Sequence, residues 1–297
     1  MNENGGLFAA VAGTGLAYGF GGPDRSSDGR GMSAHAASSD TAELVAALPG
    51  VSLRRIPRYA RMALLAAVRA LDDAGWRRAP DMCDIALVIG TAYGGAQMSM
   101  DFMDSILDAG PRLSSPTAFS HAVNNMGAGL LSLLLGLQGP CLTVSQFALS
   151  FAGAVCGATT LLHAGRAQRV LVGAVDEMDE RFTRCCPQIQ KAGISQTEGG
   201  VFLCLESPDP ARPVLRVRWE QSEHAFCPVL ASVSAQSDEN EACRHEKPPE
   251  RGPLAQALDT LFALRELREG MTTRVDCPCI AAGGKRTAVI EIWSPQP

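Results

Sequence analysis

The sequence predicts an α/β domain in which helices are buried between layers of β-sheet. Three observations favour this class. Short apolar runs alternate with segments of helical period along most of the chain, and two of the helices are apolar nearly all round. A helix without a polar face belongs in the interior of a protein. The composition, with 46% hydrophobic and 19% charged residues among 297, is typical of a well-buried globular domain.

The predicted elements follow each other in a regular order. Apolar runs predict buried strands at Phe8–Val11, Ile85–Gly90, Leu142–Val144, Val170–Val175, Val201–Leu205, Val214–Val217 and Ala288–Ile292. Arg58–Ala74 is the clearest helix, because it is rich in Ala and Leu and is followed by Gly75. The further predicted helices are the two without a polar face, Asn125–Leu135 and Ser150–His163, and one near the C-terminus, Leu254–Leu267.

Composition and charge exclude several classes of function. The net charge of −5 provides no basic face for nucleic acid. No apolar run reaches the ~18 residues that a membrane-spanning helix needs. The first residues lack a basic, signal-peptide-like region, so we expect a cytoplasmic protein. The polar stretch Ser234–Gly252 predicts a loop between a long α/β block and a short tail.

The ten cysteines do not predict a metal site or any cofactor. Cys185–Cys186 and the Cys277–Cys279 pair have the wrong spacing for zinc, and no histidine stands beside them at ligand spacing. Cysteines within apolar stretches, such as Cys141, Cys156 and Cys204, are expected to be buried thiols.

Seven short segments together carry a family resemblance. They are LRRIPR (53–58), IGTAYGG (89–95), SP (115–116), NMGAG (125–129), GLQGP (136–140), GRA (165–167) and EGG (198–200). Their order resembles that of the β-ketoacyl synthases of the thiolase superfamily. The resemblance implies a thiolase-like layered αβαβα fold with an abbreviated C-terminal half. Residues 1–210 would then be the ketosynthase-like N-terminal half, and residues 211–297 the shortened C-terminal half of the same domain.

The resemblance also indicates that the nucleophile is missing. Ketosynthases carry a cysteine in a run similar to TVSTACASG, at the N-terminus of a buried helix that favours a thiolate. Here residues 143–151 read TVSQFALSF, which places Ala148 at the nucleophile position. Ser150 is expected to hold the helix start rather than to act as a nucleophile. Gln146 is the residue type of decarboxylating and chain-length-factor relatives, but it stands two residues early.

The histidines that the family uses for decarboxylation are missing as well. They belong to HGTGT-like and KxxxGH-like motifs, and none of the five histidines of this chain has either context. Both losses indicate a subunit that does not catalyse condensation by itself. Within the family, such inactive homologues pair with an active ketosynthase and limit the length of the acyl chain. The segment SPTAFSHAVNN resembles the chain-length-factor-like partners of bacterial type II polyketide and aryl-polyene systems.

This role makes several residues candidates for the acyl tunnel or the subunit interface. Phe119, His121 and Met126 are candidates for the tunnel end, and Phe147 and Leu149 flank Ala148 and would plug the family's own active site. Ordinary core or interface packing is the alternative for all five. The basic residues could contact an acyl carrier protein with its phosphopantetheine-linked acyl chain, or they could be a solvated helix start: Arg54, Arg55, Arg58 and Arg61.

Two other functions remain open at this point. The chain could retain malonyl decarboxylase or acyltransferase activity through a remaining polar group. It could also be a scaffold that binds the carrier protein without contacting the acyl chain.

Overall fold

The computed structural model describes residues 7–18, 34–78, 84–185, 198–209, 211–221, 252–280 and 286–294. The strands are β1 (Phe8–Tyr18), β2 (Ala86–Gly90), β3 (Cys141–Val144), β4 (Arg169–Asp176), β5 (Gly199–Glu206), β6 (Val214–Gln221), β7 (Arg274–Ile280) and β8 (Arg286–Trp293). The helices are α1 (Ala34–Ala47), α2 (Arg58–Asp73), α3 (Ala96–Ala109), α4 (Pro116–Ala122), α5 (Met126–Leu135), α6 (Ser150–His163), α7 (Glu180–Cys185) and α8 (Pro253–Arg268).

The described strands form one sheet in the order β3-β2-β4-β5-β1-β6-β8-β7. Strand β1 joins the part of the sheet formed by β3, β2, β4 and β5 to the part formed by β6, β8 and β7. Its first residues, Phe8–Ala10, pair with β6, and Ala10–Tyr18 pair with β5, with an irregularity between Val11 and Gly13. The sequence predicted two separate sheets. The long β1 instead links them by hydrogen bonds into a single strand order.

Helices α6 and α8 form the central layer. Helix α6 contacts β2 and β4 on one side and β6 and β8 on the other, and α8 contacts β4 and β5 as well as β7 and β8. Inward side chains of both helices and of both parts of the sheet share one hydrophobic core. The two parts of the sheet therefore enclose these helices from both sides.

Helices α2 and α5 pack on the opposite face of the sheet, around a second core. Here the prediction for α5 was wrong, since α5 belongs to the outer layer and its Leu133 is 76% exposed. Apolar character alone did not reveal which layer a helix occupies. The second central helix is α8, and the described layers are thus helix, strand, helix and strand.

Every predicted strand and helix is present among the described elements, but β1 extends beyond its predicted end, and β7, α1, α3, α4 and α7 were not predicted. Strand β7 was not predicted, because Asp276 and Pro278 interrupt its apolar pattern. Cys141 is exposed on β3, contrary to the expectation of a buried thiol, whereas Cys204 is buried. Most of the loop predicted at 234–252 lies outside the described residues. No helix of the described part is long and apolar enough to cross a membrane.

Candidate functional site

The turn between β3 and α6 contains the position where the sequence predicts a missing nucleophile. Phe147–Leu149 form one 3₁₀ turn, and Ala148 is half-buried at its centre. Ser150 is fully buried, and its Oγ accepts a hydrogen bond from the Gln146 N–H at 2.8 Å and donates one to the Phe147 carbonyl at 2.7 Å. The Ser150 hydroxyl therefore holds the turn closed, and its proton is already engaged. The prediction that Ser150 caps the helix was wrong, because Leu149 occupies the N-cap position and no side chain caps the start of α6.

Phe147 has an unusual conformation. Its φ angle of 48° lies in the left-handed region, which non-glycine residues rarely adopt. Its side chain is 71% exposed, whereas Leu149 is buried. Phe147 is thus not packed into the core of its own chain, and the expectation that Phe147 and Leu149 plug the family's active site remains a prediction. A role for Phe147 or Leu149 at a tunnel or an interface remains a prediction.

The start of α6 lies directly against the end of β2. A Cβ atom at Gly90 would stand 2.5 Å from the Ser150 carbonyl oxygen, so only glycine fits at this crossing. The first backbone N–H groups of α6 thus adjoin the loop that follows β2. Such a helix start favours a negative charge, but the Ala148 side chain has no atom that can ionise or hold an acyl group.

A buried carboxylate fixes the loop after β2. Asp176, at the end of β4, accepts hydrogen bonds from Thr91 Oγ1 (2.9 Å) and from the N–H groups of Ala92 (2.9 Å) and Tyr93 (3.2 Å). Burial raises the pKa of Asp176 to about 6, and these hydrogen bonds partly oppose that rise. The carboxylate thereby determines the path of the chain into α3.

Arg58 ties two further carboxylates to this end of the sheet. Its guanidinium contacts Glu177 at 3.2 Å and Glu198 at 2.7 Å, and it also donates to the Met178 carbonyl. Glu177 in turn accepts from the Gln97 N–H in the first turn of α3. Burial raises the pKa of both Glu177 and Glu198, and the charge of Arg58 offsets only part of this rise.

This network bears on the predicted basic docking surface. The Arg58 guanidinium is already paired with the carboxylates of Glu177 and Glu198, and its side chain is 21% exposed. Arg54 is exposed, Arg61 is half-buried, and the side chain of Arg55 lies outside the described part. Docking of a carrier protein at these arginines stays a prediction.

The predicted tunnel residues cluster beside the same loop. Gly95, just before α3, lies next to the end of α4 and the start of α5, since its Cβ position is 3.6 Å from both the His121 carbonyl oxygen and the Met126 methyl. Met126 is buried and His121 half-buried. Phe119 is 56% exposed, and its ring centroid lies 5.3 Å from that of Phe102 on α3.

The structure shows a concentration of exposed apolar side chains of which the sequence analysis had named only Phe119 and Phe147. Eight of the thirteen exposed large hydrophobic residues in the described part fall in one stretch of the chain, namely Met103, Leu107, Leu113, Phe119, Val123, Leu133, Leu142 and Phe147. We call these eight residues the partner face. The helical spacing of apolar residues in MDFMDSIL (100–107) was the signal that could have revealed α3.

The described residues contain no group of three or more side chains arranged to hold a metal ion. Cys277 and Cys279 are buried on β7, and burial raises the pKa of Cys277 to about 12 and that of Cys279 well above its ordinary value. Both thiols therefore stay protonated at neutral pH and are poor metal ligands or nucleophiles.

Comparison with known proteins gives a family match. A model of the N-terminal domain of β-ketoacyl synthases matches residues 30–244. The chloroplastic 3-oxoacyl-[acyl-carrier-protein] synthase I of Hordeum vulgare is 24% identical over 190 residues, which are 55% of this chain and 41% of that protein. A putative polyketide β-ketoacyl synthase 1 of Streptomyces halstedii is 29% identical over 188 residues, which are 54% of this chain and 44% of that protein. The matched part spans less than half of these relatives.

Solved structures resemble the chain over nearly its whole length. A type II PKS acyl-carrier protein in complex with its ketosynthase bound to the hexaketide gives a TM-score of 0.68 at 12% identity, covering 97% of this chain and 99% of that one. A ketosynthase in complex with its chain length factor from Xenorhabdus doucetiae gives 0.60 at 17% identity, with the same coverage. These likenesses confirm the predicted fold class.

Proposed function

This chain belongs to the β-ketoacyl synthase family, and we propose that it is a non-catalytic, chain-length-factor-like subunit. In this role it pairs with an active ketosynthase in polyketide, polyene or fatty-acid-like biosynthesis and shapes the acyl tunnel. The observation that carries the proposal is Ala148 in the turn before the central helix α6. A condensing enzyme needs a thiolate at this point, and alanine supplies none.

The neighbours of Ala148 do not replace the thiol. The Ser150 hydroxyl is buried and bonded to the Phe147 carbonyl, and no base among the described residues contacts it. An acyl group could therefore reach Ser150 only if the turn opened. This arrangement favours the pairing role over the alternative of residual acyltransferase activity.

The partner face supports pairing with another protein. Isolated exposed apolar residues are ordinary, whereas a run of eight along one stretch indicates an interaction surface. Strand β3 stands at the end of the strand order, with Leu142 43% exposed and Cys141 exposed. An edge strand of this kind can pair with a strand of a second chain. The assemblies of ketosynthases with chain length factors among the similar structures make a ketosynthase the partner that we propose.

Phe119 is the residue that we propose for the tunnel wall. Its ring is exposed in the single chain but held by Phe102, so it is presented to a partner in a defined direction. A growing acyl chain is apolar and needs a dry channel, and a fixed phenyl ring can close that channel at a set length.

Co-expression with an active ketosynthase of the same source tests the pairing. We expect native mass spectrometry to show a one-to-one complex, and alkylation of Cys141 to slow down in the complex because β3 becomes covered. Cys204 is buried and serves as an unreactive control. A chain that remains single and keeps Cys141 equally reactive would exclude the pairing.

The length of the product tests the tunnel. In the complex, Phe119→Ala should give longer products, because the wall is removed, while the control Phe262→Ala, an exposed phenylalanine on α8 outside the partner face, should leave the length unchanged. Unaltered length with Phe119→Ala would support the scaffold alternative. Release of carbon dioxide from malonyl-carrier thioester by the purified chain alone would support residual decarboxylation and refute the non-catalytic role.

A further inference from the structure

Helices α3 and α4 lie side by side and are joined at three points along their length. At one end, the Ser99 Oγ atom on α3 lies 3.1 Å from the Gly95 carbonyl oxygen and 3.3 Å from that of Ala122, the last residue of α4. In the middle, the ring centroids of Phe102 and Phe119 are 5.3 Å apart, and the rings are tilted by 55°. Ser99 and Phe102 are three positions apart and therefore share one face of α3, along which α4 runs antiparallel.

The third point is the hydroxyl group of Ser105, about one helical turn further along the same face. Its Oγ atom donates a hydrogen bond to the Phe102 carbonyl at 2.7 Å and accepts one from the Ser115 N–H at 3.3 Å. Ser115 is the N-cap of α4, and its own Oγ accepts a hydrogen bond from the Ala118 N–H at 3.1 Å. One hydroxyl group therefore connects the backbone of α3 to the residue at which α4 begins.

Within the described part of the chain, α4 takes its position mainly from α3. It has seven residues, none of which is buried, and a helix of this length is not stable by itself. Its contacts are mainly with α3 and to a smaller extent with α5. Helix α3 is fixed in turn to the end of the sheet, because the Gln97 N–H in its first turn donates to Glu177 beside β4. The place of the Phe119 ring thus follows from the alignment of α4 on α3.

We propose that Ser105 is a positioning residue for Phe119 and thereby keeps the length of the acyl product uniform. This inference rests on the proposed role of Phe119 in the tunnel wall. The hydrogen bonds of Ser105 are directional and hold the start of α4 in one place, whereas contact between two rings alone allows the helices to slide. Without this hydroxyl group the Phe119 ring is still present, but it occupies several positions along the channel. Phe119→Ala should therefore lengthen the product, whereas Ser105→Ala should mix the lengths.

The distribution of product lengths in the complex with the active ketosynthase tests this role. Ser105→Ala should raise the fraction of products longer than the main product of the parent complex by about fivefold, the equivalent of one lost hydrogen bond. The total yield and the melting temperature of the complex should stay close to those of the parent. Ser105→Thr keeps a hydroxyl group and should restore the uniform length. Ser114→Ala is the matched control, because the Ser114 hydroxyl donates to the Pro111 carbonyl within the connection between the two helices, and it should leave the distribution unchanged.

Amide hydrogen exchange in the single chain measures the alignment without a partner. The N–H groups of Ala118 and Phe119 donate to the Ser115 Oγ and carbonyl oxygen, so their exchange reports on the start of α4. Ser105→Ala should speed this exchange while exchange in α2 stays as in the parent chain, and Ser105→Thr should return it to the parent rate. If Ser105→Ala does not fold, Ser99→Ala removes the contact at the other end of α4 and should mix the product lengths in the same way.

The outcomes separate this inference from the proposed function. Products as uniform with Ser105→Ala as with the parent, in a complex where Phe119→Ala does lengthen them, would overturn the positioning role and leave the proposed function standing. Parent-like exchange of the Ala118 and Phe119 amides in Ser105→Ala would overturn it as well, since α4 would then be held without the hydroxyl group. If Phe119→Ala left the length unaltered, the tunnel role would fail and the positioning role with it, whereas native mass spectrometry measures the pairing independently.

Discussion

Helices α2 and α3 are of similar length and both are rich in apolar residues, but the protein buries them very differently. Helix α2 has 16 residues, of which eleven are buried, whereas the 14 residues of α3 include a single buried one, Ala96. Helix α2 lies flat on β1, β5 and β4. Helix α3 begins beyond the end of β2 and contacts mainly α4 and α7. Within the described residues, a helix beyond the sheet has no sheet surface on which to bury its apolar side.

The comparison separates two uses of apolar residues. Those of α2 stabilise the fold, because the sheet removes them from water. Those of α3, such as Met103 and Leu107, remain exposed and contribute little to folding, so a second chain is the surface that we expect to cover them. Stability and pairing should therefore respond to different substitutions.

Leucine-to-alanine substitutions in the two helices are the strongest test of this difference in burial. Leu64→Ala in α2 removes a fully buried side chain and should lower the free energy of unfolding by roughly 2–5 kcal/mol. Leu107→Ala in α3 removes a side chain that is 76% exposed and should change it by less than about 0.5 kcal/mol. Urea unfolding of the single chain measures both. Similar losses in the two variants would show that α3 is packed as α2 is.

The buried carboxylate of Asp176, which holds the loop that leads from β2 into α3, should make the stability of the protein depend on pH. The pKa of buried Asp176 is raised from its ordinary 3.8 to about 6. The folded protein thus binds the proton more tightly than the unfolded chain, and this contribution to stability is present below pH 3.8 and lost as the pH rises through 6. We expect a difference on the order of 3 kcal/mol between the two limits.

Asp176→Asn isolates this contribution. Its amide oxygen can still accept the hydrogen bonds from the loop, but it does not titrate. The difference between the parent protein and the variant in urea unfolding, followed from pH 4 to pH 7.5, should therefore show the expected fall in parent stability. A pH-independent difference would mean that Asp176 does not titrate in this range.

The way in which each strand is packed explains which strands the sequence could predict. Strand β2 is buried along its whole length, so it reads as a continuous apolar run and was found. Strand β1 was predicted to end at Val11, because glycines interrupt its pattern. Those glycines allow α2 to approach, since a Cβ atom at Gly15 would stand 2.1 Å from the Ala66 carbonyl oxygen. A strand against which a helix packs closely needs glycines, and these glycines interrupt the apolar pattern that predicts a strand.

The candidate site was predictable only where residues adjacent in sequence form it. The position of Ala148 follows from the order of the neighbouring residues. Ser150 was expected to cap α6, but it is the first residue of the helix and bonds back into the preceding turn. The contact between Thr91 and Asp176 joins residues 85 positions apart, and no local pattern indicates such a pairing. Arg58 looked like part of a surface cluster for the same reason, since its partners Glu177 and Glu198 are distant in sequence.

The smallest effect that we expect concerns the attachment of α3. Arg181 on α7 contacts Asp101 at 2.6 Å and Asp179 at 2.8 Å, and it also bonds to Asp104, also on α3. Most of these side chains are more than one third exposed, so Arg181→Met should lower the free energy of unfolding by less than about 1 kcal/mol. The exposed pair of Arg184 with Glu180 provides a control, Arg184→Met, with a still smaller effect.

The informative measurement for Arg181→Met is local rather than global. Helix α3 has one buried residue, so its position depends more on polar contacts, such as those of Asp101 and Asp104 with Arg181, than on a core. Removing the Arg181 contacts should speed amide hydrogen exchange in α3 while exchange in α2 stays as in the parent protein. Pairing with the ketosynthase should restore the slow exchange, because the partner then covers α3. If α3 exchanged as slowly in the variant as in the parent chain, apolar packing would hold it without a partner, and the distinction between the two helices would disappear.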